Sequence, residues 1–199
     1  SRTQSALLEA MEEGQVTVDG VSYPVPQPFL VIATQNPAGA SGTQLLPDSQ
    51  MDRFMVRLSI GYPAPADEVA MVRRRQGANP LNQVGQVLDL EGLRELRDRA
   101  DRVYVSDEVL DYVIRLVNAT RSHPMIVQGA SPRASLALTA MSKATALAVG
   151  RDYVNPEDVA AVFADVITHR LILSPRAQAE GGFHPAAEIL RQVPAPTVR

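Results

Sequence analysis

The sequence predicts an α/β segment followed by a helical bundle. Two observations indicate the α/β segment: an apolar run without alternation over residues 29–34, and the turn dipeptide Asp19-Gly20 between two β-branched runs. A third observation indicates the bundle, because leucine and alanine recur at helical spacing after residue 88. We therefore expect an α/β part over 1–76 and a linker with a helical part over 77–199.

Composition supports a folded protein and excludes several classes of function. Of the 199 residues, 45% are hydrophobic and 21% are charged, which is typical of globular domains. Cysteine is absent, and the three histidines lie far apart (His123, His169 and His184), so we predict no disulfide framework and no zinc site. Nineteen basic and 22 acidic residues give a net charge of −3, which argues against a dedicated nucleic-acid-binding module.

No targeting signal is present at the start of the sequence. The chain opens at Ser1 without a methionine, and helical pattern begins by the third residue, so we expect it to be the later part of a longer protein. No apolar run approaches the length of a membrane span. We predict a cytoplasmic location and no membrane insertion.

The first 25 residues predict a helix and a hairpin. Residues 3–13 have helical spacing, with Thr3 as the N-cap and Gly14 in the left-handed position that ends a helix. The runs 15–18 and 21–25 flank Asp19-Gly20, whose residues accept the positive φ angles of a two-residue hairpin turn.

The next segment predicts two buried strands joined through a short helix. Residues 29–34 are apolar throughout, as in a parallel strand that helices cover on both faces. A short helix is predicted over 47–54, a second strand over 55–60 and a further helix over 67–75.

The remaining residues predict helices and a peripheral tail. Helices are expected from Leu90 onward, and the alanine-rich one ends near Gly150. The tail after Leu173 is rich in proline, so we expect it to lie at the periphery. Three of the helices begin with capping signals at Ser106, Ser131-Pro132 and Asn155-Pro156.

Asn36 is the first candidate for chemistry. It follows the apolar run 29–34, and ligands of open α/β sheets bind beyond the carboxyl ends of the strands. An amide held there can donate to a phosphate oxygen or orient a water molecule. The alternative is that Asn36-Pro37 forms only a turn.

Arg53 and Arg133 are candidates for binding an anion. Arginine offers a planar fork of donors that suits a phosphate, and Arg133 lies in the first turn of a helix, where backbone donors favour negative charge. The alternatives are a surface ion pair of Arg53 with Asp48 or Asp52, and a solvent-facing position for Arg133.

The sequence contains none of the common motifs that grip a nucleotide. There is no phosphate-binding loop, and the only lysine, Lys143, lies within a helical pattern without glycine. No acidic pair follows an apolar strand, so a magnesium-binding strand end is missing too. Residues 73–75 are three consecutive arginines, which we interpret as a solvated helix end, with nucleic-acid binding as the alternative.

Five stretches, in order, resemble the MoxR family of AAA+ ATPases. The resemblance covers nearly the whole chain, and the order of the stretches makes it specific. The stretches are TQSALLEAMEE (3–13), PFLVIATQNP (28–37), LPDSQMDRF (46–54), GASPRA (129–134) and GRDYVNPEDV (150–159).

The resemblance implies a fold and a set of roles. Residues 1–76 would be the end of an AAA+ P-loop-type α/β core with parallel strands and a hairpin insertion, and 77–199 would include the helical lid. Asn36 matches sensor 1, which places the attacking water, and Arg53 matches the arginine finger, which acts in the neighbouring subunit's site. Arg133 matches sensor 2, which reports the γ-phosphate to the lid.

The resemblance also implies cofactors and partners. It predicts ATP and Mg²⁺, a homo-oligomeric ring that we expect to be a hexamer, a von Willebrand A-domain partner, and chaperone-like remodelling of a protein client. The family's phosphate loop and magnesium-binding acids belong upstream of Ser1, and the loop 38–44 lacks the family's acidic and aromatic residues. The chain by itself is therefore predicted to be inactive. The rival hypothesis is a non-catalytic assembly or adaptor module.

Overall fold

A computed structural model describes residues 2–35, 46–75, 79–179 and 182–197 of the chain. Helices dominate these residues, and each of the two sheets has two strands. In chain order the elements are α1 (Arg2–Glu13), β1 (Gln15–Val18), β2 (Val21–Pro24), α2 (Asp48–Met51), α3 (Pro65–Arg75), a 3₁₀ turn (Pro80–Gln83), α4 (Leu90–Asp101), α5 (Asp107–Ser122), β3 (Ile126–Gln128), α6 (Pro132–Ala148), α7 (Pro156–Ile167), a 3₁₀ turn (Thr168–Arg170), β4 (Ile172–Leu173), α8 (Pro175–Ala179) and α9 (Pro185–Gln192).

The predicted helix and hairpin form at the start of the chain. Asp19 and Gly20 have φ angles of 50° and 79°, and β1 pairs antiparallel with β2 around them. Gly14 follows α1 with φ 62°, as predicted for the residue that ends the helix. The prediction for Thr3 was wrong: α1 begins at Arg2, so Thr3 lies inside the helix instead of capping it.

The two apolar stretches predicted as parallel strands pair with no strand among the described residues. Residues 29–34 and 55–60 are neither helix nor strand, and the side chains of Ile32 and Ile60 are 83% and 99% exposed. A strand needs a neighbour for its backbone hydrogen bonds and a cover for its apolar faces. The described part of the chain supplies neither for 29–34, and for 55–60 it supplies one backbone hydrogen bond from Arg57 and a contact of Val56 with the helical core.

The hydrophobic core lies in the helical part. Helices α5, α6, α7 and α9 pack around side chains that are fully buried. The largest of these are Phe163, Leu116, Leu138, Ile167 and Ile189. The prediction of a peripheral tail was wrong, because α9 contacts both α5 and α7 and contributes Ile189 to the core.

The three capping signals lie at the starts of α5, α6 and α7. The Ser106 hydroxyl accepts a hydrogen bond from the Val109 N–H, and Ser131 accepts one from the Arg133 N–H. Asn155 begins a capping box with Asp158, whose carboxylate accepts from the Asn155 N–H at 2.8 Å. These caps fix where each helix begins and therefore where the first-turn side chains lie.

A short segment of the first part is held against the helical part. The Arg57 N–H donates to the Asp165 carbonyl oxygen of α7 at 2.9 Å, and Val56 packs against the helical core. Within the helical part, Gly129 follows β3 and lies so close to α5 that a Cβ on Gly129 would be 2.6 Å from the Arg121 Cα. Glycine therefore lets the chain pass α5 and bring Ser131 toward this segment.

Among the helices of the described residues, none combines the length and the apolar character that a bilayer crossing requires.

Candidate functional site

A cavity of about 460 Å³ lies between the segment around α2 and the helical part. Its walls include charged and polar side chains from both parts of the chain: Asp52, Arg53, Ser131, Arg133, His169 and Arg170. Two of these residues, Arg53 and Arg133, were selected from the sequence. The fold therefore brings together two arginines that are separated by 80 positions in the chain.

Both arginines contact one carboxylate. The guanidinium groups of Arg53 and Arg133 each form an ion pair with Glu12, which lies in the last turn of α1. Arg53 is largely buried, whereas about half of the Arg133 side chain is exposed. The Arg53 Nε is buried and finds no hydrogen-bond partner among the described residues. One negative charge thus faces two positive charges.

The ion pair of Arg53 differs from the one considered from the sequence. The ion pair that the structure shows for Arg53 is with Glu12, instead of Asp48 or Asp52. Asn36 and the loop 38–44 lie outside the described residues, so the structure leaves the sensor-1 assignment as a prediction.

Asp52 links the two parts of the chain beside Arg53. Its carboxylate accepts hydrogen bonds from the Ser131 hydroxyl at 2.8 and 3.2 Å. It also accepts one from the Arg170 Nε at 3.1 Å. Ser131 caps the helix that carries Arg133, so Asp52 connects the neighbours of both candidate arginines.

Arg170 is buried beneath Asp52. Only 2% of its side chain is exposed, and its guanidinium donates to backbone carbonyls of the segment that holds Arg53. Burial lowers the pKa of Arg170, and the Asp52 carboxylate opposes that shift. Arginine starts from a pKa so high that it keeps its positive charge at neutral pH.

His169 lies next to Arg170 and contacts the same segment. Its Nε2 lies 3.0 Å from the Phe54 carbonyl oxygen and 2.9 Å from the Arg170 Nη1, and its Nδ1 has no partner among the described residues. Burial lowers the pKa of His169, and the nearby guanidinium of Arg170 lowers it further. His169 is therefore neutral at pH 7.

The arrangement suits an anion better than a cation. Three guanidinium groups, those of Arg53, Arg133 and Arg170, line the cavity together with the start of α6, and all of these groups favour a phosphate. Two carboxylates, those of Asp48 and Asp52, also line it, and Asp52 is already paired with Arg170 and the Ser131 hydroxyl. Within residues 2–35, 46–75, 79–179 and 182–197, no group of three histidine, aspartate or glutamate side chains is arranged to hold a metal ion. The described residues therefore fit a phosphate group and offer no ready ligand set for Mg²⁺.

Sequence reasoning missed three of the residues that shape this site. Glu12 belongs to a predicted helix in which only the apolar positions indicated a structural role. Asp52 was considered only as an ion-pair partner of Arg53, and Arg170 follows a helix of the hydrophobic core. No local pattern singles out Arg170, because it follows the polar pair Thr168-His169 and its partner Asp52 lies far away in the chain.

Two families match the chain. The family described as "ATPase family associated with various cellular activities (AAA)" matches residues 1–56, and the AAA lid domain matches residues 118–193. Both matched regions contribute side chains to the cavity. The fold and the site therefore define an AAA+ protein.

Individual relatives identify the family within the AAA+ class. Chaperone MoxR1 of Mycobacterium tuberculosis is 42% identical over 189 residues, which cover 90% of this chain and 50% of that protein. The uncharacterized protein YeaC of Bacillus subtilis is 41% identical over 180 residues, covering 90% of this chain and 56% of that protein. The chain belongs to the MoxR family of AAA+ ATPases.

A solved structure agrees with this fold. The crystal structure described as "a putative ATPase from Cytophaga hutchinsonii" superposes with a TM-score of 0.90 at 38% identity, covering 99% of this chain and 63% of that chain. The chain spans about half the length of the relatives it matches.

Proposed function

We propose that the protein containing this chain hydrolyses ATP with Mg²⁺ in an oligomeric ring and uses the energy to remodel a protein client. The observation that carries the proposal is the convergence of Arg53 and Arg133 on Glu12 in one cavity. Phosphoryl transfer depends on neutralising developing charge, and paired guanidinium groups are suited to that task.

In this proposal Arg53 is the arginine finger and Arg133 is sensor 2. Both line the same cavity, so we place both against the same terminal phosphate, that of the neighbouring subunit. A finger that acts across an interface makes hydrolysis depend on assembly, and a head-to-tail interface that closes generates a ring. Asn36 is proposed as sensor 1.

The groups that hold the nucleotide and the metal belong to other parts of the proposed protein. Residues 1–199 contain no phosphate-binding loop, so hydrolysis is proposed for a longer polypeptide that contains them. In that polypeptide 1–76 would end the α/β core, and 77–199 would supply the lid. A hexameric ring, a von Willebrand A-domain partner and a cytoplasmic location are proposed on the strength of the family resemblance.

The proposal is tested by steady-state ATP turnover of the full-length protein with Arg53→Ala. An arginine finger supplies about 10³–10⁵ in rate in well-studied phosphoryl-transfer enzymes. We expect Arg53→Ala to abolish measurable turnover while ATP still binds. Arg57→Ala is the matched control, because Arg57 lies on the same segment with an exposed side chain outside the cavity wall, and it should leave turnover unchanged.

Two results would contradict the proposal. Normal turnover by Arg53→Ala would exclude the finger assignment. A wild-type protein that oligomerises without hydrolysing ATP would favour the non-catalytic assembly module. For sensor 2, Arg133→Ala should weaken ATP binding or lower turnover, and no change in either would exclude that role.

A further inference from the structure

We propose that Arg170 is a positioning residue that holds the segment carrying Arg53 in line with Arg133. The inference rests on the proposed function, because it names the group that aligns the two cations of that site. Arg170 lies at the end of the 3₁₀ turn after α7 and lines the cavity from beneath.

The guanidinium of Arg170 reaches out of the helical part into the first part of the chain. It donates through Nη2 to the Phe54 carbonyl oxygen at 2.7 Å and to the Asp52 carbonyl oxygen at 3.2 Å. It donates through Nη1 to the Met55 carbonyl oxygen at 3.2 Å. These acceptors flank Arg53 on both sides, so one side chain holds the backbone on either side of the proposed finger.

This backbone segment needs donors that it cannot supply itself. Residues 52–55 follow α2 and lie outside any helix or strand, so their carbonyl groups have no regular partners. Buried carbonyls are costly when unpaired. An arginine presents several donors in one rigid plane, whereas a lysine presents a single point of charge, so Lys cannot replace this set of contacts.

The same guanidinium is coupled to Arg133 through Asp52. The Nε of Arg170 donates to the Asp52 carboxylate at 3.1 Å, and that carboxylate accepts the Ser131 hydroxyl at 2.8 Å. The Ser131 hydroxyl also caps the start of α6 by accepting from the Arg133 N–H at 3.3 Å. A chain of hydrogen bonds, two of them to the charged Asp52 carboxylate, therefore connects Arg170 to the backbone of Arg133.

The lid offers a matched control for this arrangement. Arg151 forms a second partly buried arginine–aspartate pair, with Nη1 donating to the Asp158 carboxylate at 2.7 Å. That pair stabilises the start of α7 and takes no part in the cavity wall. Removing Arg151 tests what the loss of a lid ion pair does when the Arg53 segment keeps its contacts.

The first measurement is ATP turnover and nucleotide affinity of the full-length protein. We expect Arg170→Met and Arg170→Lys to lower kcat by roughly 10²-fold, because Arg53 is no longer held in line, with nucleotide affinity within about twofold of wild type. Arg151→Met should leave kcat within about twofold.

The second measurement needs no hydrolysis. Residues 1–199 contain no cysteine, so Ser49→Cys and Gln128→Cys can carry spin labels on opposite walls of the cavity, with any cysteine elsewhere in the full-length protein replaced by serine. Labelled subunits are diluted with unlabelled ones, and electron–electron dipolar coupling gives the distance distribution. Arg170→Met and Asp52→Asn should broaden a narrow wild-type distribution, whereas Arg151→Met should leave it narrow.

The outcomes separate the two proposals. An unchanged distance distribution in Arg170→Met overturns the positioning role, whatever the turnover. Broadening in Arg170→Met, with no hydrolysis by any variant including wild type, supports the positioning role and removes the proposed function. An Arg170→Lys variant with full kcat and a narrow distribution also overturns the inference, since charge alone would then suffice.

Discussion

A single carboxylate, that of Glu12, occupies the position where two guanidinium groups converge. An anion that binds there must compete with Glu12 for both arginines. The same contacts hold the end of α1 against the helical part. Glu12 therefore both stabilises this arrangement and competes with a bound anion for the two guanidinium groups. A change that removes only its charge separates these two effects.

Glu12→Gln is expected to tighten ATP binding by the full-length protein by up to about 5-fold at low salt, since the ion pair with Arg133 that it removes is partly exposed and worth roughly 0.2–1 kcal/mol. The gain should shrink as salt screens the charges. Equilibrium titration with ATP measures the effect. Glu13→Gln is the control, because Glu13 accepts only from the Gln15 side chain in the described contacts. Weaker binding by Glu12→Gln would show that Glu12 mainly positions the arginines.

His169 gives the fold a dependence on pH. Its pKa is lowered from an ordinary value of 6.5, and the charged groups that face it are Arg170, Arg57 and Asp52. Below about pH 6.5 the unfolded chain therefore takes up a proton that the folded chain resists, so the free energy of unfolding falls as the pH falls.

We expect His169→Gln to remove this component, which is at most about 1.4 kcal/mol per pH unit. Urea unfolding at pH 7 and pH 5.5 measures it in both proteins. His184→Gln is the comparison, because His184 is exposed at the start of α9 and its side chain makes no capping hydrogen bond. Equal pH dependence in wild type and His169→Gln would contradict the assignment.

At the scale of elements, the capping signals of the helical part were confirmed, whereas the apolar run 29–34 pairs with no strand among the described residues. Ser106, Ser131 and Asn155 begin the helices that the sequence predicted, because a cap needs only its own first turn. A strand such as 29–34 needs a neighbouring strand, which can come from any part of the chain, and the described residues provide none. Caps and the hairpin around Asp19-Gly20 were therefore predictable from local chemistry, whereas pairing between strands distant in the chain was not.

The same distinction applies to the site. Arg53 and Arg133 could be selected because local sequence places them beside a predicted strand and at a helix start. Glu12 and Arg170 could not, because their importance comes only from contacts with residues more than 40 positions away. Sequence spacing carries no information on such contacts without a fold.

Ser131 differs from Ser106 in one respect that can be measured. Both cap a helix, but the Ser131 hydroxyl donates to Asp52 of the first part of the chain, whereas the Ser106 hydroxyl contacts the exposed Glu108 of its own helix. Ser106→Ala should lower the free energy of unfolding by about 1 kcal/mol, the usual cost of a lost cap. Ser131→Ala should cost roughly 1 kcal/mol more, for the lost hydrogen bond to a charged group.

Denaturant unfolding of both variants gives this difference directly. Equal losses would mean that the Ser131–Asp52 hydrogen bond contributes nothing to holding the Arg53 segment against α6.

At the scale of the whole molecule, Arg53 and Arg133 line the same cavity. This limits which subunits can supply the two arginines to one nucleotide. If Arg53 and Arg133 of one subunit serve the same neighbouring nucleotide, both must be intact in that subunit. If Arg133 instead serves its own subunit's nucleotide, the two arginines can come from different subunits.

Mixing full-length Arg53→Ala and Arg133→Ala proteins distinguishes these arrangements. We expect no recovery of ATP turnover, because every interface would receive only one of the two arginines. Recovery toward roughly a quarter of wild-type turnover, the share of complete interfaces in a random 1:1 ring, would show that Arg133 acts within its own subunit. Mixing each variant with wild type controls for subunit exchange.

The apolar stretches 29–34 and 55–60, which pair with no strand among the described residues, affect the tendency of the polypeptide to aggregate. Leu30-Val31-Ile32-Ala33 carries no charge and no proline, and such sequences readily form intermolecular β-structure when they stay uncovered. The helical core encloses its own apolar side chains, whereas these stretches expose Leu30, Ile32, Leu58 and Ile60. In a preparation of residues 1–199 alone, we therefore expect the helical part to be folded and the exposed stretches of the first part to promote aggregation.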